Sequence, residues 1–115
     1  MRILARAALL FGVLILPVRA PAQTVSGTVT GIVKDSSGGV LPGVTVTFTQ
    51  TETSRKETAI TDSGGRYTSQ PLPLGTYRVE ATLSGFKASA KGGIALTIDD
   101  IARVDFTLEV GQLAP

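Results

Sequence analysis

The 115-residue sequence predicts an all-β fold, a single antiparallel β-sandwich of seven to eight short strands, following an N-terminal secretory segment. Three observations predict it. Apolar and polar residues alternate at period two in several short runs, and no stretch carries a helical period. Clusters of Gly, Pro, Asp and Ser interrupt those runs roughly every 8–12 residues, the rhythm of sandwich strands. The one long apolar run lies at the very start, outside that rhythm.

That run supplies the first element. Arg2 and Arg6 give a basic start, Ala7 to Leu16 is uninterruptedly apolar, and Pro17 ends it. Ala20-Pro21-Ala22 then places small residues where a signal peptidase reads them, so residues 1–22 are expected to be a cleaved signal peptide. A membrane-spanning helix needs ~20 apolar residues, about twice this run; an uncleaved N-terminal anchor is the alternative. The sequence has no Cys, which excludes a lipoprotein anchor, and Arg2 and Arg6 are not adjacent as a twin-arginine signal requires.

After a short lead, Thr28–Asp35 is the first predicted strand, with Val29, Gly31 and Val33 on one face. Gly31 inside it implies close approach by another group. Asp35-Ser36-Ser37-Gly38-Gly39 is a turn, since Asp bonds its own backbone and Gly tolerates positive φ. Leu41-Pro42-Gly43 launches Val44–Gln50, where Val44, Val46 and Phe48 alternate with Thr45, Thr47 and Thr49. Thr51–Glu57 is a polar hairpin tip, and Glu57–Thr61 is the return strand, with Thr58 and Ile60 on one face.

Asp62-Ser63-Gly64-Gly65 turns the chain into a short strand at Arg66–Ser69. Gln70–Gly75 holds two prolines and no alternation, so a corner is expected. Thr76–Ser84 alternates again, with Tyr77, Val79, Ala81 and Leu83 on one face. Gly85-Phe86 leads to a weaker strand ending near Ala90, followed by an expected turn at Lys91-Gly92-Gly93. Ile94, Leu96 and Ile98 alternate, Asp99-Asp100 is a turn, and Val104, Phe106, Leu108 and Val110 form one last strand. Residues 112–115 are a tail.

Composition narrows the function. Without residues 1–22 the chain keeps 8 Lys and Arg against 9 Asp and Glu, a net charge of −1. The basic pI therefore belongs to the segment expected to be removed, and no clustered basic footprint for nucleic acid remains. With no Cys there is no disulfide framework, so a packed core must hold the domain. Once the signal is cleaved, no transmembrane segment is expected.

Five elements in order carry a family resemblance: G-x-V-x-D at Gly31 to Asp35, L-P-G-V-x-V at Leu41 to Val46, T-D-x-x-G-x-Y at Thr61 to Tyr67, L-P-x-G-x-Y at Leu72 to Tyr77, and Gly85-Phe86. Together they resemble the carboxypeptidase regulatory-like domain, over about residues 27–111. The resemblance implies a transthyretin-like, Greek-key sandwich, also grouped with carbohydrate-binding-like folds, and a module without catalytic activity. Ser69, where an apolar residue is common, and Leu74, in place of a second Pro, depart from the pattern and are expected to loosen the fourth strand. A domain of this kind follows the signal peptide of TonB-dependent outer-membrane receptors in many Gram-negative bacteria. The resemblance thus implies export to the periplasm or outer-membrane association, with receptor components as possible partners. It is compatible with a stand-alone domain or a truncated receptor.

Candidate chemistry is sparse. The sequence has no His and no Cys, which removes His- and Cys-based triads and nearly every zinc or copper site. No cofactor and no catalytic residue is expected. Asp99 and Asp100 are neighbours in a turn and point apart, unlike a glycosidase pair. Asp35 and Asp62 precede Gly-rich loops that supply one carboxylate each, too few for calcium. A Lys–Asn cross-link is impossible because there is no Asn, although a Lys–Asp version is open. Sugar binding is the competing function. Trp is absent, and Phe48, Tyr77 and Phe106 lie in phase with core aliphatics. Tyr67 and Phe86 remain as the candidate ligand contacts, for a glycan or protein partner of unknown identity.

Overall fold

A computed structural model describes residues 25–111, and these form two β-sheets packed as a sandwich with no helix. The expected signal peptide and tail lie outside the described residues. Nine strands appear: β1 (Ser26–Asp35), β2 (Thr45–Gln50), β3 (Lys56–Ile60), β4 (Arg66–Thr68), β5 (Leu72–Pro73), β6 (Gly75–Thr82), β7 (Ser89–Leu96), β8 (Ile101–Arg103) and β9 (Phe106–Leu108).

One sheet runs in the order β3-β2-β6-β7, all antiparallel. Its pattern follows directly from the T-V-T-F-T alternation: Val46 and Phe48 face inward and are fully buried, while Thr45, Thr47 and Thr49 stand half-buried on the outer face. Tyr77, Val79 and Ala81 of β6 face inward beside them. In the other sheet, long β1 is the spine. β4 and β5 pair with it antiparallel on one side, and β8 and β9 pair with it parallel on the other. Val29 and Val33 bring β1 into the core, joined by Tyr67, Leu72, Val104, Phe106 and Leu108. Each large side chain buried this way contributes roughly 1.5–3 kcal/mol.

The sandwich is the expected one, and four local features differ from expectation. Leu72–Pro73 of the predicted corner pairs with Ser26–Gly27, because Leu72 is drawn into the core and Pro73 sits where no amide need donate. Lys91-Gly92-Gly93 is not a turn. β7 runs straight through it with a register shift, Tyr77 pairing with Ile94 but Val79 with Lys91, so one residue bulges and Gly93 takes φ 70°. Where one last strand over Val104 to Val110 is expected, there are two short pieces, β8 at Ile101–Arg103, ahead of that span, and β9 at Phe106–Leu108. Finally, both pieces run parallel to β1, so the sandwich is not wholly antiparallel.

One side chain fills the break between the two pieces. Between β8 and β9 the main chain offers no acceptor to the Ile32 N–H, and the Asp105 carboxylate takes that bond at 2.9 Å. Arg103 donates to the same carboxylate at 3.1 Å. The two Asp turns close by the expected chemistry. Asp35 accepts from the Ser37 N–H, the Ser37 hydroxyl and the Gly39 N–H, and Asp62 from the Gly64 and Arg66 N–H groups. Ser69 does not loosen β4. Its buried hydroxyl accepts the Val29 N–H at 2.9 Å, and its own N–H donates to the Val29 carbonyl at 2.8 Å.

Candidate functional site

A groove lies at the end of the sandwich where β2 begins and β6 ends. It has a volume of ≈ 470 Å³ and is lined by Gly43, Thr45, Thr82, Leu83, Ser84, Phe86 and Ala88. Its floor is set by pairing: Thr45 lies opposite Thr82 across β2 and β6, and the Thr82 hydroxyl reaches the Thr45 carbonyl at 3.4 Å. Its wall is the turn after β6, closed by a 3.0 Å bond from the Phe86 N–H to the Leu83 carbonyl. Gly85 takes φ 88° there, a conformation that side chains resist. The C-terminal segment clamps this turn through Lys87 N–H to Glu109 carbonyl (2.8 Å) and Gly111 N–H to Gly85 carbonyl (2.9 Å). Phe86 and Val110 form an isolated bridge between them.

The lining is three hydroxyls, small apolar groups and one half-buried aromatic ring, with no ionisable side chain. Such a surface offers hydrogen bonds and apolar contact, and no group that moves a proton. Next to it, sharing Ala88, is a smaller hollow of ≈ 230 Å³ that carries the exposed Lys87–Glu109 pair, 3.8 Å apart. Pairs this exposed contribute about 0–1 kcal/mol. Among the described residues no three His, Cys, Asp or Glu side chains gather as a metal site would require. No helix among them is long and apolar enough to cross a membrane.

Phe86 lines this groove. Tyr67 does not, and as a ligand contact it must be corrected. It is 2 % exposed, stands opposite Gly31 in the β1–β4 register, and donates its hydroxyl to the Val104 carbonyl at 2.5 Å. Its ring packs against Phe48 with centroids 5.9 Å apart. Burial, reinforced by the negative charge of Asp105, pushes the phenol well above its usual range despite Arg103. The two aromatics are therefore not brought together. The signal for Tyr67 was present in Gly31, since a strand glycine leaves room for something, and that something is this ring and the Val104 carbonyl.

The remaining candidates also fall to structural roles. Asp35 is held below the usual carboxylate range by the Ser37 hydroxyl and then the Gly39 N–H, and Asp62 by the Arg66 and Gly64 N–H groups. Those carboxylates are occupied by their own loops. Asp99 sits at φ 54° in the β7–β8 turn, and Asp100 accepts from the Thr97 hydroxyl at 3.3 Å.

The sequence profile of the carboxypeptidase regulatory-like domain matches residues 28–109. The chain belongs to that family. As a carboxypeptidase regulatory-like domain it is a β-sandwich module of non-catalytic type. No curated protein matches its sequence. Solved structures share the fold. One is a chain of a type II cohesin–X-dockerin complex from Acetivibrio cellulolyticus, at 22% identity and TM-score 0.61 over 77% of this chain. Another is described as a putative carbohydrate binding protein from Bacteroides uniformis, at 16% identity and TM-score 0.58 over 73% of this chain. A third is catechol 1,2-dioxygenase from Pseudomonas arvilla C-1, at 13% identity and TM-score 0.60 over 84% of this chain. This regulatory-like domain spans 61%, 41% and 55% of those chains respectively, under two thirds of each. At such identities the likeness is one of fold, and a fold hosts unrelated functions.

Proposed function

We propose that this chain is an exported, non-catalytic interaction module, a periplasmic accessory domain related to the N-terminal domain of TonB-dependent receptors. In this reading residues 1–22 are a cleaved signal, residues 27–111 are the working sandwich and residues 112–115 are a tail. The observation that carries the non-catalytic binding role is the end groove, where Thr45, Thr82, Ser84 and Phe86 present hydroxyls and a ring without a titratable group. The basic and apolar order of Arg2, Arg6 and Ala7 to Leu16 supports export. The compartment is tested by fractionating a Gram-negative host and sequencing the N-terminus of the recovered protein. A periplasmic product starting at Gln23 is expected, whereas a cytoplasmic product retaining Met1 refutes export. Crosslinking in the same cells is expected to capture outer-membrane receptor components; recovery of the free domain alone, at crosslinking yields that capture known periplasmic pairs, counts against the partner.

A second reading, carbohydrate binding, is favoured by the pairing of Phe86 with three hydroxyls, the mix of apolar contact and hydrogen-bonding groups that sugars engage. The fold shared with the Bacteroides uniformis protein supports it. Titration with glycans while following the Phe86 ring resonances decides the matter: saturable shifts are expected for a sugar site, and none at millimolar glycan refutes it.

A further inference from the structure

The four sheet edges of this sandwich are not equally protected. A bare edge exposes main-chain donors and acceptors to any extended chain, and proteins usually blunt it with bulges, prolines, breaks or charged side chains; on β3 the charges, Lys56 and Glu57, gather at one end. The β7 edge carries the Gly92-Gly93 bulge, and Lys91 folds across it, its amine 5.4 Å from the centre of the Phe106 ring and 2.6 Å from the Asp105 carbonyl. β4 and β5 are three and two residues long and are separated by Ser69, Gln70 and Pro71. β8 and β9 are three residues each, broken at Val104 and Asp105. β3 is different. It is five continuous residues, Lys-Glu-Thr-Ala-Ile, without bulge, break or proline, and among the described residues it pairs with β2 alone.

The free groups on that edge can be assigned. The Thr61 N–H donates to the Val44 carbonyl and the Gln50 N–H to the Arg55 carbonyl, so odd-numbered residues of this segment bond β2. Lys56, Thr58 and Ile60 therefore turn their N–H and C=O groups outward. All three are exposed, and Ile60 is 60% exposed, a large apolar side chain at an open edge.

We infer that β3 is a self-pairing edge whose occupant is β3 of a second copy, antiparallel, about a two-fold axis at Thr58. A two-fold interface must map onto itself, and only registers that set even residues against even residues satisfy the free groups. Centring on Lys56 opposes Lys to Lys, and centring on Glu57 opposes Glu to Glu. Centring on Ala59 leaves Lys56 outside the pair. Centring on Thr58 uses all three free residues and opposes no like charges. Thr58 faces Thr58 of the partner, Ala59 faces Glu57, and Ile60 lies against the Lys56 stem, whose methylenes cover apolar surface while its ammonium stays in water. The pairing makes about six main-chain hydrogen bonds and joins the two β3-β2-β6-β7 sheets into one continuous sheet. A five-residue ribbon falls short of the ~1,000 Å² that a lasting interface buries, so the dimer is weak and concentration-dependent. This surface is separate from the end groove and does not depend on its ligand.

Sedimentation equilibrium of the purified protein is expected to show monomer and dimer, with half-dimerisation on the order of 100 µM. Thr58→Pro deletes the central outward N–H at an edge position where proline is tolerated, and is expected to leave a folded monomer by circular dichroism. Register is read by crosslinking, which is clean because the chain has no cysteine. Thr58→Cys is expected to form a disulfide dimer on mild oxidation, since paired Cα atoms lie about 5.5 Å apart. Lys56→Cys is expected not to, because its copies lie roughly 13 Å apart along the strands. A protein that stays monomeric at millimolar concentration overturns the inference. So does a dimer indifferent to Thr58→Pro, or crosslinking through Lys56→Cys as fast as through Thr58→Cys.

Discussion

Replacing Gly31 with alanine tests whether the sandwich is closed by the close approach that this strand glycine permits. A Cβ at position 31 would sink into the Val104 carbonyl oxygen, and would lie 2.7 Å from its carbonyl carbon and 3.0 Å from Cε1 of Tyr67. The obstacle is main chain and a packed ring, so no flexible side chain can swing aside. Accommodation means moving the segment between β8 and β9 away from β1. That weakens the 2.8 Å bond from the Val104 N–H to the Thr30 carbonyl and the Tyr67 hydroxyl bond to Val104. Overpacking costs about 1–3 kcal/mol and each lost bond about 1 kcal/mol, so the total is roughly 3–5 kcal/mol. A domain of this size has only about 5–10 kcal/mol in all, and each kilocalorie shifts its Tm by about 4–8 °C. Gly31→Ala is expected to lower Tm by at least about 12 °C, measured by circular dichroism melting alongside Gly92→Ala. Gly92 has nothing within 4 Å of its added Cβ and should melt close to the parent protein. A Gly31→Ala protein melting within about 4 °C of the parent refutes the packing argument.

Ser69→Ala removes the acceptor of the fully buried Val29 N–H, and an orphaned buried donor costs about 1–3 kcal/mol; an unchanged urea midpoint would show that the amide finds another partner. Acid should destabilise the fold through Asp35, Asp62 and Asp105. At Asp105 burial works upward but is outweighed by the Ile32 N–H and Arg103, so all three carboxyls titrate below their ordinary value when folded. Their stabilisation is complete above about pH 4 and is lost as pH falls through the lower folded values. Urea midpoints should therefore drop between pH 5 and pH 2, and Asp105→Asn should flatten part of that drop; a constant midpoint over that range contradicts it. At the alkaline end, burial raises the phenols of Tyr67 and Tyr77, so the stability they add is present below about pH 10 and lost above it. Phenolate absorbance should rise together with loss of the β-sheet signal, and ionisation near pH 10 in an intact fold would count against burial.

Much of the architecture was legible because strand alternation is a local property. Val44, Val46 and Phe48, or Tyr77, Val79 and Ala81, declare their buried face without reference to a partner. Partner and direction are not local. The run from Ile101 to Val110 alternates much like an antiparallel strand, and nothing in it records that β1 already has neighbours on its other side. It pairs parallel to β1, with Asp105 filling the break. Lys91-Gly92-Gly93 carries the same residues whether the glycines reverse the chain or bulge a strand, and only the register with β6 separates the two. At the groove, Phe86 stands out in the sequence as an aromatic outside any core phase, and in the fold it packs half-buried against the core. Tyr67 could not be dismissed, because its burial depends on a glycine thirty-six positions earlier in the chain, opposite which it is registered.

The parallel seating of β8 and β9 on β1 has a consequence in time as well as in space. A chain emerging N-terminus first presents β1 early, yet one flank of that strand is completed only by residues near the other end, as the Ile32–Asp105 bond shows with its separation of 73 positions. Non-local pairings of this kind slow folding, because loop closure must come before the contacts that reward it. Until Ile101 to Leu108 have emerged, β1 carries an unfilled edge and Val29 and Val33 lack part of their cover. Cooperative closure of this domain therefore waits on its last strands, and a chain ended before Phe106 would be left with a sticky first strand in place of a fold.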